Sequence, residues 1–107
     1  MNLVLRTGLS DSDYALIAEA AKQQSEIESL VLFGSRAKGN FRKGSDVDIA
    51  VKGLSVTYDS VIRLSDVLNE VLPLPYFFDV LNYNTLSDPE LKAHIDRVGL
   101  EIYLINK

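Results

Sequence analysis

The chain has 107 residues, of which 47% are hydrophobic, so it can build one domain with a real core and is not disordered. Its net charge of −4 makes direct nucleic-acid binding unexpected, and the absence of cysteine excludes disulfides and thiolate metal sites. The apolar runs are too short to cross a bilayer and the N-terminus lacks a secretory pattern, so a cytoplasmic protein without membrane contact is expected.

The first half of the chain contains one predicted helix and two predicted strands. Residues 10–13, SDSD, are typical of a capped helix start with acidic residues in the first turn. The apolar segments SLVLF, at 29–33, and VDIAV, at 47–51, predict short strands. Between them Gly34 permits a sharp turn, and SRAKG can form a short helical segment.

The second half repeats the alternation of helix and strand. Residues 58–72 have helical spacing of apolar side chains, which prolines at 73 and 75 end. YFFDVLNY, at 76–83, predicts a third strand, and EIYLI, at 101–105, predicts a fourth. Ser87 and Glu90 form a capping-box pattern that opens a helix ending at Gly99. The alternation predicts an α/β or α+β fold with a central sheet.

The loop after the first strand concentrates positive charge in an acidic protein. Four of the 11 basic residues lie within eight positions: Arg36, Lys38, Arg42 and Lys43. Such a loop is either a solvated basic surface or a cradle for phosphate. The Ser35 hydroxyl and the N–H groups of the following helical segment favour the second interpretation, because both can bind an anion.

Three aspartates indicate a metal site. Asp46 and Asp48 lie two residues apart, so strand alternation places them on one face, where two like charges are costly without a cation. Mg²⁺ is often held by one or two carboxylates together with substrate phosphates. Asp79 in the third strand is either a further ligand or the partner of an arginine in a structural ion pair. Three acids on adjacent strands suit a two-metal site for attack at phosphorus.

The segment GSRAKGNFRKGSDVDIAV resembles the signature of the DNA polymerase β-type nucleotidyltransferase superfamily: Gly-Ser, ten intervening residues, then Asp-x-Asp. The small size resembles its minimal nucleotidyltransferases, including the antitoxin-type enzymes encoded beside HEPN-domain partners. The resemblance covers most of the chain and implies a single minimal nucleotidyltransferase domain over residues 1–107. It also implies a mixed central sheet with helices packed against it.

The resemblance implies a role for each matching residue. Gly34 and Ser35 would hold the nucleotide triphosphate, with Arg36 and Lys38 as further nucleotide-binding residues. The three acids would be both catalytic residues and metal ligands. Asp46 and Asp48 would bind two Mg²⁺ ions, whereas Asp79 would bind the catalytic ion and help to activate the acceptor hydroxyl.

The resemblance further implies that the chain transfers AMP from ATP to a protein acceptor. That acceptor would be a tyrosine of a HEPN toxin, bound as a hetero-oligomer. The residues after the third predicted strand suffice for only one helix and one strand, so the partner is expected to present the acceptor. The alternatives are adenylylation of a small molecule presented by a helical partner, and a non-catalytic antitoxin that acts by binding alone.

Overall fold

The computed structural model describes residues 2–105, which form five α-helices and four strands. In chain order these are α1 (Leu3–Thr7), α2 (Asp11–Lys22), β1 (Ser29–Phe33), α3 (Gly34–Lys38), β2 (Val47–Lys52), α4 (Tyr58–Asp66), β3 (Phe78–Asn82), α5 (Pro89–Val98) and β4 (Leu100–Leu104). A π-helical turn, Val67–Val71, continues α4, and a 3₁₀ turn, Tyr83–Thr85, follows β3. Within this part of the chain no helix is long and apolar enough to cross a bilayer.

The four strands form one mixed sheet in the order β3-β2-β1-β4. β1 is antiparallel to both β2 and β4, whereas β2 and β3 are parallel. Because of these directions, the end of β1 and the starts of β2 and β3 meet at one end of the sheet. The predicted mixed α/β architecture is thus confirmed, while the single domain over 1–107 stays a prediction.

Apolar side chains cover both faces of the central strand β1, whose five residues are all buried. The larger core cluster joins Leu30 and Leu32 to Ile17 of α2 and Leu64 of α4 on one face. A smaller cluster packs α5 on the other face and contains Val31, Phe33, Ala50 and Ile95. Since side chains alternate along a strand, Asp48 lies on the same face of β2 as Ala50, the face that carries α5.

Several predicted boundaries are confirmed by the structure. β1 has the predicted bounds, and β2 extends one residue beyond them. Ser10 caps α2 with a complete capping box to Asp13, and α5 ends before Gly99 as expected. The short helical segment after Gly34 is α3.

Other boundaries differ for physical reasons. The predicted Ser87 cap is wrong: Asp88 caps α5, its carboxylate accepting the N–H groups of Glu90 and Leu91. Proline fits the first helical position and holds the residue before it extended, so Asp88, directly before Pro89, takes the cap. The helix expected over 58–72 is α-helical only to Asp66, and the third strand is 78–82 instead of 76–83.

Candidate active site

The end of the sheet where β2 and β3 begin brings two of the predicted acids into register. Asp48 of β2 pairs with Asp79 of β3, and on its other side with Phe33, the last residue of β1. Asp46 comes just before β2, within the electrostatic reach of Asp48. The prediction that the three acids lie on adjacent strands therefore holds for Asp48 and Asp79, whereas Asp46 precedes its strand.

Asp48 is the electrostatic centre of this group. Burial, together with the smaller effects of the negative charges of Asp79 and Asp46, raises the pKa of its carboxyl from 3.8 to about 6. The ion pairs in residues 2–105 join Lys22 to Glu19 and Arg63 to Glu26, so no lysine or arginine there neutralises the three acids. The site therefore favours a cation from outside the chain.

Asp79 is less enclosed than its sequence context suggested. It is exposed, and the preceding Phe77, expected on the same apolar face, is 60% exposed. Of the two residues expected on the same face of the strand as Asp79, Phe77 and Leu81, only Leu81 packs against the smaller core cluster. The structural ion pair with an arginine does not occur among residues 2–105. Asp79 is thus free to face a ligand at the surface.

Gly34 lies against Asp48 because it has no side chain. Its φ of +74° favours glycine, and a Cβ at this position would meet the Asp48 Oδ2 atom and come within 3.1 Å of its Cγ. The glycine therefore allows the carboxylate to touch the backbone at the start of α3. This close approach could not be read from the spacing of the motif.

The start of α3 leaves donors for a ligand. Its N-cap residue is Phe33, and no side chain caps the first turn, whose N–H groups lack partners within the helix. Ser35 is half-buried there, whereas Lys38 at the other end of α3 is exposed. The nucleotide-binding roles of Gly34, Ser35 and Lys38 stay predictions that this arrangement suits.

Arg36 differs from the other basic residues of its loop. Arg42 and Lys43 are exposed, but Arg36 is only 3% exposed, and its guanidinium donates to the carbonyl oxygens of Thr7 and Ser45. Its nucleotide-binding role stays a prediction, while the contacts in the structure are with the protein itself. A cavity of about 540 Å³ adjoins this loop, and its walls contain Arg36 and Phe41 but none of the three acids.

Asn69 is a site residue that sequence reasoning missed. Its side chain donates to the carbonyl oxygen of Phe78 at 3.0 Å and accepts the Phe78 N–H at 2.8 Å, as a neighbouring strand would. These bonds fix the residue directly before Asp79. Nothing in the local pattern indicated this, because Asn69 lies in the π-helical turn, nine residues earlier.

The three acids do not form a ready-made cluster of metal ligands in the described residues. No group of three or more His, Cys, Asp or Glu side chains in residues 2–105 is arranged to hold an ion by itself. Mg²⁺ needs only one or two carboxylates when phosphates complete its shell. The uncompensated charge around Asp48 fits that donor set, and the two-ion site stays a prediction.

The fold is similar to chains of three solved toxin–antitoxin structures. A toxin–antitoxin crystallised with AMP-PNP gives a TM-score of 0.72 at 19% identity, over 88% of this chain and 75% of that one. A mutant MntA–HpeT toxin–antitoxin gives 0.69 at 17%, over 87% and 74%. A tri-AMPylated Shewanella oneidensis HEPN toxin in complex with MNT antitoxin gives 0.65 at 17%, over 86% and 70%. At these identities the likeness concerns the fold.

The sequence itself matches a family. No curated protein matches the chain significantly. Residues 15–107 match the family model described as polymerase beta, nucleotidyltransferase, and this range contains Gly34, Ser35 and all three acids. The chain therefore belongs to the polymerase beta nucleotidyltransferase family and is, by that membership, a nucleotidyltransferase.

Proposed function

We propose that the chain is an antitoxin-type minimal nucleotidyltransferase that uses Mg²⁺ to transfer AMP from ATP to a tyrosine of a HEPN-domain partner. The observation that carries the proposal is the register pair of Asp48 and Asp79 beside Gly34, in a member of this family. The likeness to a toxin–antitoxin with AMP-PNP supports the nucleotide, and the likeness to the complex of a tri-AMPylated HEPN toxin supports the partner.

The triphosphate is held where α3 begins. The uncapped N–H groups of the first turn and the Ser35 hydroxyl can bind anionic oxygens there. The exposed ammonium group of Lys38, at the other end of α3, is a further cation for the phosphates. Gly34 lets Asp48 lie directly against this turn, so the carboxylates and the phosphate donors share one small region. Phosphates bound there meet the acids only when a cation separates the like charges.

Asp46, Asp48 and Asp79 are the residues that would hold Mg²⁺, which neutralises charge on the phosphate oxygens when it is bound. The acceptor oxygen forms a bond to the α-phosphorus, and the bond between that phosphorus and the bridging oxygen to the β-phosphorus breaks. Pyrophosphate leaves with the electron pair of the broken bond. Asp79, exposed on the edge strand, takes the proton of the acceptor hydroxyl.

Asp48→Asn and Asp79→Asn test these roles separately. Asp48→Asn should weaken Mg-ATP binding and abolish transfer, because Asp48 faces both the phosphates and the metal. Asp79→Asn should bind Mg-ATP within about tenfold of wild type and lose at least about 10²-fold in AMP transfer, because its role belongs to the transition state. Calorimetry measures binding, and mass spectrometry of the HEPN partner measures transfer. Asp59→Asn, an exposed acid on α4, is the matched control.

Near-normal transfer by Asp79→Asn would remove Asp79 from the catalytic set. If the chain neutralises the toxicity of its HEPN partner while the mass of the partner stays unchanged, an antitoxin that acts by binding alone would be favoured. Modification of a small molecule, with the partner unchanged, would favour the substrate-presenting alternative. Both results leave the family membership intact: the first removes the transfer reaction from the proposal, and the second replaces its acceptor.

A further inference from the structure

The guanidinium of Arg36 connects two segments that are distant in sequence. Nη1 donates to the carbonyl oxygen of Thr7, the last residue of α1, at 2.8 Å. Nε and Nη2 both donate to the carbonyl oxygen of Ser45, at 3.2 and 3.0 Å. That carbonyl belongs to the peptide group that joins Ser45 to Asp46. One buried side chain thus holds the backbone directly before a predicted metal ligand.

Two aromatic rings lie beside the guanidinium. Its central carbon lies 4.8 Å from the ring centroid of Phe41 and 4.9 Å from that of Tyr76. The Tyr76 hydroxyl is itself anchored, donating to Asp13 Oδ2 at 2.7 Å. Gly8 completes the enclosure, since a Cβ there would come within 2.5 Å of the Phe41 ring and 2.8 Å of Arg36 Nη1.

Asp46 lies between two backbone groups that the rest of the fold holds: the Ser45 carbonyl, which Arg36 binds, and the Val47 N–H, which donates to the carbonyl oxygen of Phe77 at 2.9 Å. Ser45 makes two further hydrogen bonds in the structure, both with Arg42 of the same loop. Bonds within the loop shape it but do not place it relative to the sheet. The bonds from Arg36 do, because α3 begins where β1 ends and α1 packs against α3.

We infer that Arg36 is a positioning residue, which sets the location of the Asp46 carboxylate relative to Asp48 and Asp79. All three guanidinium nitrogens already donate to the protein, and the central carbon lies close to the rings of both Phe41 and Tyr76. The inference rests on the proposed function, because it assumes that Asp46 holds metal with the nucleotide. It differs from the phosphate-binding role that the motif suggested for Arg36.

The two roles predict different changes in Mn²⁺ and ATP binding for Arg36→Lys. Lysine keeps the positive charge but lacks the planar guanidinium, with its several N–H donors. ATP binding is measured by calorimetry at a series of Mn²⁺ concentrations. A positioning role predicts that the Mn²⁺ concentration for half-saturation rises about 10–100-fold, the usual effect of losing a residue that orients a metal ligand. ATP affinity at saturating Mn²⁺ should then stay close to the wild-type value. A phosphate ligand predicts unchanged half-saturation and weaker ATP affinity at saturating Mn²⁺.

Arg63→Lys is the matched control, because Arg63 lies on α4 in a 3.8 Å ion pair with Glu26 and is 65% exposed. If Arg36→Lys does not fold, Phe41→Leu is the second variant. It removes one of the two aromatic rings beside the guanidinium but leaves the hydrogen-bonding groups of Arg36 in place, and it should shift the Mn²⁺ concentration for half-saturation in the same direction. Behaviour of the Arg36→Lys variant like that of Arg63→Lys, or the phosphate-ligand pattern, would overturn the inference. If the wild-type chain binds no Mn-ATP, the proposed function itself fails, and this is known before any variant is compared.

Discussion

At the scale of single residues, the site depends on a carboxylate that the protein keeps at an energetic cost. Asp48 is half-buried beside two other acids, and its pKa is raised to about 6, mainly by burial. Gly34 makes this position possible by leaving room for the carboxylate. The cost is consistent with function, because groups with strongly shifted pKa values concentrate at functional sites.

This cost predicts that Asp48→Asn stabilises the metal-free protein in a pH-dependent way. The folded-state pKa lies above the unfolded value, so proton uptake favours folding and its contribution is lost as the pH rises through about 6. The melting temperature of Asp48→Asn should therefore rise relative to wild type between about pH 4 and pH 7. Thermal melts in EDTA measure this difference, with exposed Glu101→Gln as control. A difference that is constant across this range would contradict the shifted pKa.

At the scale of elements, the site is assembled from the ends of strands and from one short helical turn. β3 is an edge strand, so its start is held by β2 on one side and by Asn69 on the other. The Asn69 side chain replaces the missing neighbouring strand at the residue before Asp79. The placement of that acid thus depends on the π-helical turn as well as on the sheet.

Asn69→Ala should destabilise the fold by about 1–3 kcal/mol, because it leaves the Phe78 N–H and carbonyl groups without these partners. AMP transfer should also fall, since the adjoining Asp79 loses its support. Denaturant unfolding measures the first effect. Asn40→Ala, in the exposed loop after α3, is the control. Equal stability of the two variants would show that Asn69 does not hold β3.

The sequence predicted those elements whose signals are local. β1 is a continuous apolar run, and α2 has its cap in the preceding residue, so both were found. α1 was missed because five residues are too few for periodicity to be seen. The burial of Arg36 could not be predicted, because its partners Thr7 and Tyr76 lie 29 positions before it and in the segment before β3.

At the scale of the whole molecule, the fold leaves the acids at one end of the sheet accessible to a substrate. The larger core cluster fills one face, and α5 covers part of the other. The acids lie at the end where β2 and β3 begin, with Asp46 and Asp79 exposed. A partner protein can therefore bring a hydroxyl group to this end without opening the core.

The central claim is that this exposed end transfers the adenylyl group of ATP to the partner. The most direct measurement incubates the chain and its HEPN-domain partner with Mg²⁺ and ATP labelled at either the α- or the γ-phosphorus. We expect the α-label on the partner, the γ-label in released pyrophosphate, and neither transfer nor release with Asp48→Asn. Label from the γ-position on the partner, or α-label transfer that survives in Asp48→Asn, would contradict the account.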